Sequence, residues 1–375
     1  MRTTRSTRSS LVVLVVGASL ALAACASTPD TASTASPSPT SSSASPSARP
    51  STFAPTTVTL LTHDSFALTK TLLSDFTART GITIKVVTDG DAGELVNKAA
   101  LTAGNPEGDV LYGVDNTLLS RALEQGVFDP YVSPDAADVP AALKAATDDA
   151  VTPIDYGDVC VNIDDGWFAK KGIAVPTSLD DLTKPAYKDL LVTENASTSS
   201  PGLAFLLATI AKYGEDGYQD YWSRLRANGV KVANGWQEAY DGDYTVSGKG
   251  SRPLMVSYAS SPPAEIVYAS DPKPAKPYSS VMTDGCFRQV EYAGVLKGTK
   301  NPDAARAVVD FLLSPAVQAD VPLSMYVYPA LPGVTLPDVF TKWAAVVPSP
   351  LTLDPATIDA KRSQWVDAWD QVTLR

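Results

Sequence analysis

Aromatic and hydroxyl side chains gather in one stretch of the 375-residue chain. Asn234-Gly235-Trp236-Gln237-Glu238-Ala239-Tyr240 reads as a helix opened by a glycine, with Trp236 and Tyr240 four residues apart on one face. Leu254 to Val256 reads as a buried strand, followed by Ser257-Tyr258-Ala259-Ser260-Ser261-Pro262 and a second proline. Backbone N–H groups left free past a strand end can meet a ligand, and flat aromatic faces nearby suit a cationic small molecule. The same residues also suit ordinary core packing and a turn. Ser197-Thr198-Ser199-Ser200-Pro201-Gly202 feeds an apolar helix from Leu203 to Tyr213. Its hydroxyls and N–H groups suit a polar or anionic ligand group, or simple N-capping.

The elements that position these residues alternate. Val58 to Thr62 reads as a strand, Leu72 to Thr80 as a helix stopped by Gly81, and Ile82 to Val87 as a strand. A helix is expected over Glu94 to Ala103 and a strand over Asp109 to Gly113. Such βαβ units imply a parallel sheet, whose ligands sit beyond the carboxyl ends of strands; His63-Asp64, Asp91 and Asp115 fall there. Ile154 to Val161 looks like a strand leaving the first lobe, and Glu291 to Leu296 like one returning to it. Asn301-Pro302 and Ser314-Pro315 open helices, the first with Val308, Phe311 and Leu312 inward. Asp354-Pro355 opens a terminal helix that packs through Trp365 and Trp369.

The ends speak of export. Arg2, Arg5 and Arg8 precede an apolar run from Leu11 to Ala24 that is too short to span a bilayer, as in a secretory signal. Cys25 directly after Leu22-Ala23-Ala24 resembles the lipobox of bacterial lipoproteins, which makes it the expected lipidation site. Ala26 to Pro55 is almost entirely Ser, Thr, Ala and Pro, and reads as a disordered tether. Cys160 and Cys286 are then two thiols in an oxidising compartment, where a disulfide between them is favoured. The net charge of −11 argues against nucleic acid and is compatible with a cationic ligand. No P-loop, dinucleotide glycine fingerprint, metal-spaced Cys/His cluster or G-x-S-x-G elbow is present, and His63 is the only histidine. An exported hydrolase would have to be built on it.

Thr62-His63-Asp64-Ser65-Phe66, Gly113-Val114-Asp115-Asn116-Thr117-Leu118-Leu119, Ile154-Asp155-Tyr156-Gly157, Ser197 to Leu203, Gly235 to Tyr240 and Ser257 to Pro262 occur in order, followed by Phe311 to Ala316 and Tyr328-Pro329. Together they resemble the thiamine-binding periplasmic proteins of ABC transporters. The resemblance implies an α/β, type II periplasmic binding protein-like fold: two lobes joined by two hinge crossings, with the ligand cleft between them. Residues 56–152 would form the first part of lobe 1, 153–288 lobe 2, and 289–375 the return to lobe 1 with the C-terminal helices.

It further implies thiamine, thiamine phosphate or thiamine diphosphate as ligand, no catalytic residue, cofactor or metal, and an ABC permease and ATPase as partners. A monomer is expected, lipid-anchored outside the cytoplasm in a Gram-positive type of envelope. Ligand contacts carry over to Asp64, Asp91, Ala92, Ser199, Ser200, Trp236, Tyr258, Ala259, Ser260, Ser261 and Tyr326. His63 stands where the family has a tyrosine, Tyr326 where it has tryptophan, and Pro263-Ala264 where a further aromatic is usual. Protonated His63 is expected to repel a thiazolium, so that binding weakens as pH falls through about 6. A polyamine or iron receptor of the same fold is the rival reading.

Overall fold

The computed structural model describes residues 52–145 and 149–375; the expected signal, Cys25 and most of the tether lie outside them. The described residues start slightly before the expected Thr56. Phe53 N–H donates to Thr80 O at 2.7 Å, and its ring packs on the core.

Ten strands form one mixed sheet. They are β1 (Thr56–Thr62), β2 (Ile82–Thr88), β3 (Val110–Asp115), β4 (Phe128–Asp129), β5 (Thr152–Asp164), β6 (Leu191–Glu194), β7 (Lys231–Ala233), β8 (Leu254–Tyr258), β9 (Ser279–Leu296) and β10 (Tyr328–Pro329). The main order is β2-β1-β3-β9-β5-β8-β6-β7. Each flank is a parallel set, β2-β1-β3 on one side and β8-β6-β7 on the other. Two long antiparallel strands, β5 and β9, run between them. Their pairing breaks near the middle: Val159 faces Phe287, but Val161 faces Met282. Cys160 and Cys286 are disulfide-bonded at that break, as the export reading anticipates. Residues Arg49–Arg375 form a single compact unit.

Helices cover the sheet for the reasons their sequences give. Lys70–Thr80 ends on Gly81 at φ 79°, a left-handed cap that suits glycine. Ser200–Tyr213 is buried over its first eleven residues, which is why it shows no polar face. Pro302–Leu312 buries Val308, Phe311 and Leu312 as its periodicity requires. The terminal helix, Pro355–Thr373, buries Trp365 and Trp369, and Trp369 meets Trp222 edge-on at 5.4 Å. Removing one such ring costs about 3–5 kcal/mol.

Candidate ligand-binding site

A cavity of about 320 Å³ opens at the carboxyl ends of β1, β2, β6, β7 and β8, inside the range of about 300–1,000 Å³ usual for small-molecule sites. Its floor is polar. Glu291, on β9, lines it; Glu291 Oε1 stands 3.4 Å from His63 Nε2 and its Oε2 accepts from the Tyr112 hydroxyl at 3.0 Å. The same Tyr112 oxygen lies 2.5 Å from a carboxyl oxygen of Asp155, on β5. Both acids are buried in one small volume, and they share it unequally. Burial, then the Glu291 charge, pushes Asp155 well above the usual carboxylate range. Burial opposes ionisation of Glu291 too, but His63 outweighs it and holds Glu291 below its usual value. The two shifts run in opposite directions, which biases the pair's charge toward Glu291. Burial alone would lower His63, yet the Glu291 charge raises it above its usual 6.5.

Backbone geometry makes room for this floor. Gly113 sits at a break in the β3–β9 register with φ 100°, and a Cβ there would lie 2.4 Å from His63 Cδ2. A Cβ on Gly157 would lie 2.8 Å from the Tyr258 ring. Both positions need glycine for close approach.

The wall is aromatic. Trp236 and Tyr240 stack at 4.9 Å and 18°, four residues apart as the sequence suggests, although the turn between them widens into a π-helix over Ala239–Asp243. Trp236 Nε1 donates to Ser257 Oγ at 3.0 Å, which fixes the indole. Across the mouth, Tyr326 adopts φ 58°, a left-handed backbone costly for an aromatic residue, and its buried hydroxyl has no partner. Tyr268 meets it edge-on at 5.8 Å and is 71% exposed.

Between wall and floor lies Asp91, the N-cap of the Ala92–Leu101 helix. Its Oδ1 accepts from Ala92 N–H at 2.6 Å and Ser200 N–H at 3.2 Å, and its Oδ2 from Trp236 N–H at 3.0 Å. Both oxygens are thus occupied, and the carboxylate ties one parallel flank to the other. A second chain of bonds makes the same crossing: Tyr258 to Gln289, Gln289 to Ser200, Ser200 to Asp115. Burial raises Asp115 to about 6.

Comparison with known proteins places this arrangement. The bacterial extracellular solute-binding protein family matches residues 105–343. The chain belongs to that family. The thiamine-binding periplasmic protein of Escherichia coli (strain K12) is 30% identical over 328 residues, covering 86% of this chain and 95% of that protein. The protein of the same name from Brucella suis biovar 1 is 29% identical over 339 residues, covering 87% and 95%. A solved structure titled periplasmic thiamin binding protein superposes with a TM-score of 0.74 at 29% identity, over 85% of this chain and 96% of that one. The fold is that of the type II periplasmic binding proteins.

Within this family member, His63, Asp64, Asp91, Ala92, Ser200, Trp236, Tyr258, Ser261 and Tyr326 all line the cavity. Ser199, Ala259 and Ser260 stand behind it. Ser199 caps the Ser200–Tyr213 helix, its Oγ accepting from Gly202 N–H, which is the capping alternative the serine run left open. Ala259 packs with the disulfide, and its carbonyl accepts from Ala345 N–H. Ser260 is fully buried. Tyr240, read from the sequence as Trp236's partner on one helix face, lines the cavity too, whereas Glu291 and Tyr268 were not foreseen as lining groups. For Glu291 a signal existed: a carboxylate opening an apolar strand run needs a partner or a purpose.

Proposed function

We propose that this chain is the extracytoplasmic receptor of an ABC importer, taking thiamine or a thiamine phosphate into the cavity and presenting it to the membrane permease and its ATPase. The carrying observation is the pairing of an aromatic wall, Trp236 with Tyr240 and Tyr326, with a polar floor whose net charge is set by acids. Such a site suits a flat ring bearing a fixed positive charge. Ser200 and Ser261 lie where the hydroxyethyl or phosphate end would be held. The relatives named thiamine-binding support the same cargo.

In this reading β5 and β9 would serve as the hinge crossings, with a parallel flank of the sheet in each lobe. Bonds from Asp91 to Ser200 and Trp236, and from Gln237 to the Asp64 carbonyl, hold the flanks together when closed. The receptor acts by capture and release, without chemical turnover, as a monomer tethered through lipidated Cys25. Desolvated cation–π contacts contribute about 2 kcal/mol each, so three leave roughly half of the about 12 kcal/mol of a nanomolar complex to hydrogen bonds and charge. Isothermal titration of thiamine into the purified protein tests this, with spermidine and ferric citrate as competitors. Submicromolar thiamine binding is expected; binding of spermidine or iron alone would keep the fold and change the cargo.

A further inference from the structure

Besides Asp241, an exposed residue of the lining, five acids stand in or behind the cavity wall, and the structure separates their roles. Asp155 is fully buried beside Glu291, and burial, then the Glu291 charge, disfavours its ionised form. Glu194 is fully buried, both its oxygens lack hydrogen-bond partners, and burial disfavours its charge in the same way. Asp91 has both oxygens committed to backbone N–H groups. Asp64 sits half-buried at the lip, accepts from Ser65 at 3.2 Å, and is raised by burial and by Asp91. Glu291 alone combines a held negative charge, a place on the cavity lining and a titratable counter-ion, His63, on its free side. Tyr112 occupies its other oxygen. The groups facing His63 are Glu291 from β9, Asp91 and Asp64 from the loops, and the Tyr112 ring from β3 at 5.7 Å. No cation other than His63 is among them.

We infer that Glu291 is the charge-selecting residue of the site, and that a cationic cargo takes its place against Glu291 by displacing a proton from His63. The inference rests on the thiamine reading above. In the empty site the imidazolium neutralises Glu291. When a ring with a fixed positive charge enters, two cations would share one buried anion, and the one that can become neutral is His63. Its proton leaves to solvent. The exchange makes the site selective for charge as well as shape: an uncharged ring of similar outline would have to leave the ion pair intact and gains nothing from Glu291. It also links capture to pH, with affinity rising through the titration of His63 in the empty protein.

The test is calorimetric titration of thiamine near pH 7 in phosphate and in Tris, whose protonation enthalpies differ, so that the difference in apparent heat counts protons. A fractional proton released per thiamine is expected for the native protein, and none for His63→Phe. Glu291→Gln, which keeps an acceptor for Tyr112, should weaken thiamine about tenfold or more while changing the binding of thiochrome, an uncharged fused-ring relative, less than twofold. Thiamine binding by the native protein without proton release, or equal loss of thiamine and thiochrome in Glu291→Gln, would overturn the inference and leave the cargo standing. No thiamine binding by the native protein would overturn the cargo, and this inference with it. Should Glu291→Gln not fold, the proton count in His63→Phe decides alone.

Discussion

The floor and the mouth of the cavity are built on opposite principles. Glu291 and Asp155 lie on the two long strands, buried and bonded through Tyr112 at 3.0 and 2.5 Å, so they belong to the fold as much as to the site. At the mouth, Tyr268 is 71% exposed, while Trp236 and Tyr240 are half-buried, stacked on each other and packed against Val192, Ala233, Ala239, Tyr244 and Met255. A floor of this kind fixes what charge may enter, and its alteration disturbs stability. A mouth of this kind sets how tightly the cargo is held, and its exposed ring, Tyr268, can be changed with little cost to folding. The difference teaches that affinity and charge choice are separable by mutation here.

Trp236→Ala is expected to break the separation most visibly. Thiamine affinity should fall about a hundredfold, near 3 kcal/mol, with the melting temperature of the empty protein shifted by no more than about 2 °C. A large loss of stability would place the indole with the core rather than with the cargo. Asp91→Ala comes next, because it removes a helix cap worth about 1 kcal/mol and two bonds between the flanks. Both the melting temperature and the affinity should drop, the latter about tenfold, and Asp91→Asn should restore the cap but only part of the affinity. Small-angle scattering of Asp91→Ala without ligand should report a more open average shape; an unchanged profile would deny the carboxylate its role in joining the flanks.

Tyr268→Ala should weaken thiamine about fivefold, through faster release, at unchanged melting temperature, and Tyr268→Phe less than twofold. Equal affinity in Tyr268→Ala would remove this ring from the site. The smallest effect is on the stability of the empty protein. His63, raised by Glu291, contributes stability that is full below about 6.5 and lost as pH rises through its folded value. Asp155 and Glu194 act in the same direction, because ionising them in place is costly. The melting temperature should therefore decline by a few degrees from pH 5 to pH 8, while thiamine affinity rises over the same interval. Glu194→Gln should flatten the decline; a slope unchanged in that variant would assign it to other groups.

Much of this was legible in the residues, and the gaps have physical causes. Phe311 and Leu312, or Trp365 and Trp369, announce themselves because helical spacing alone decides which face is buried. Gly81 stops its helix for a local reason. Asp91 read as part of a loop, since a cap differs from a loop residue only in a bond made after folding. β9 was recognised from Glu291 onward, whereas its first twelve residues, with Thr283, Asp284, Gly285, Arg288 and Gln289, lack an apolar alternation. They are held by pairing with β5, a tertiary cause. Ala259 and Ser260 looked free to meet a ligand; the disulfide and the Ala345–Val347 segment cover them instead. Tyr268 follows a helix of four residues, Ala264–Val267, and nothing local aims its ring at Tyr326.

The disulfide between Cys160 and Cys286 joins the two crossing strands at the place where their pairing slips, and closes a stretch of 126 residues. By chain entropy such a loop stabilises the folded state by about 4–5 kcal/mol. Its mechanical meaning is sharper. Strands bolted at mid-length cannot shear along one another, so any opening has to be a bend or a twist about that bolt. Leu351 reinforces it, donating to the Cys286 carbonyl at 2.7 Å and accepting from Arg288 at 3.1 Å. An extracytoplasmic receptor thereby keeps its two longest strands in fixed register, whatever motion its flanks undergo.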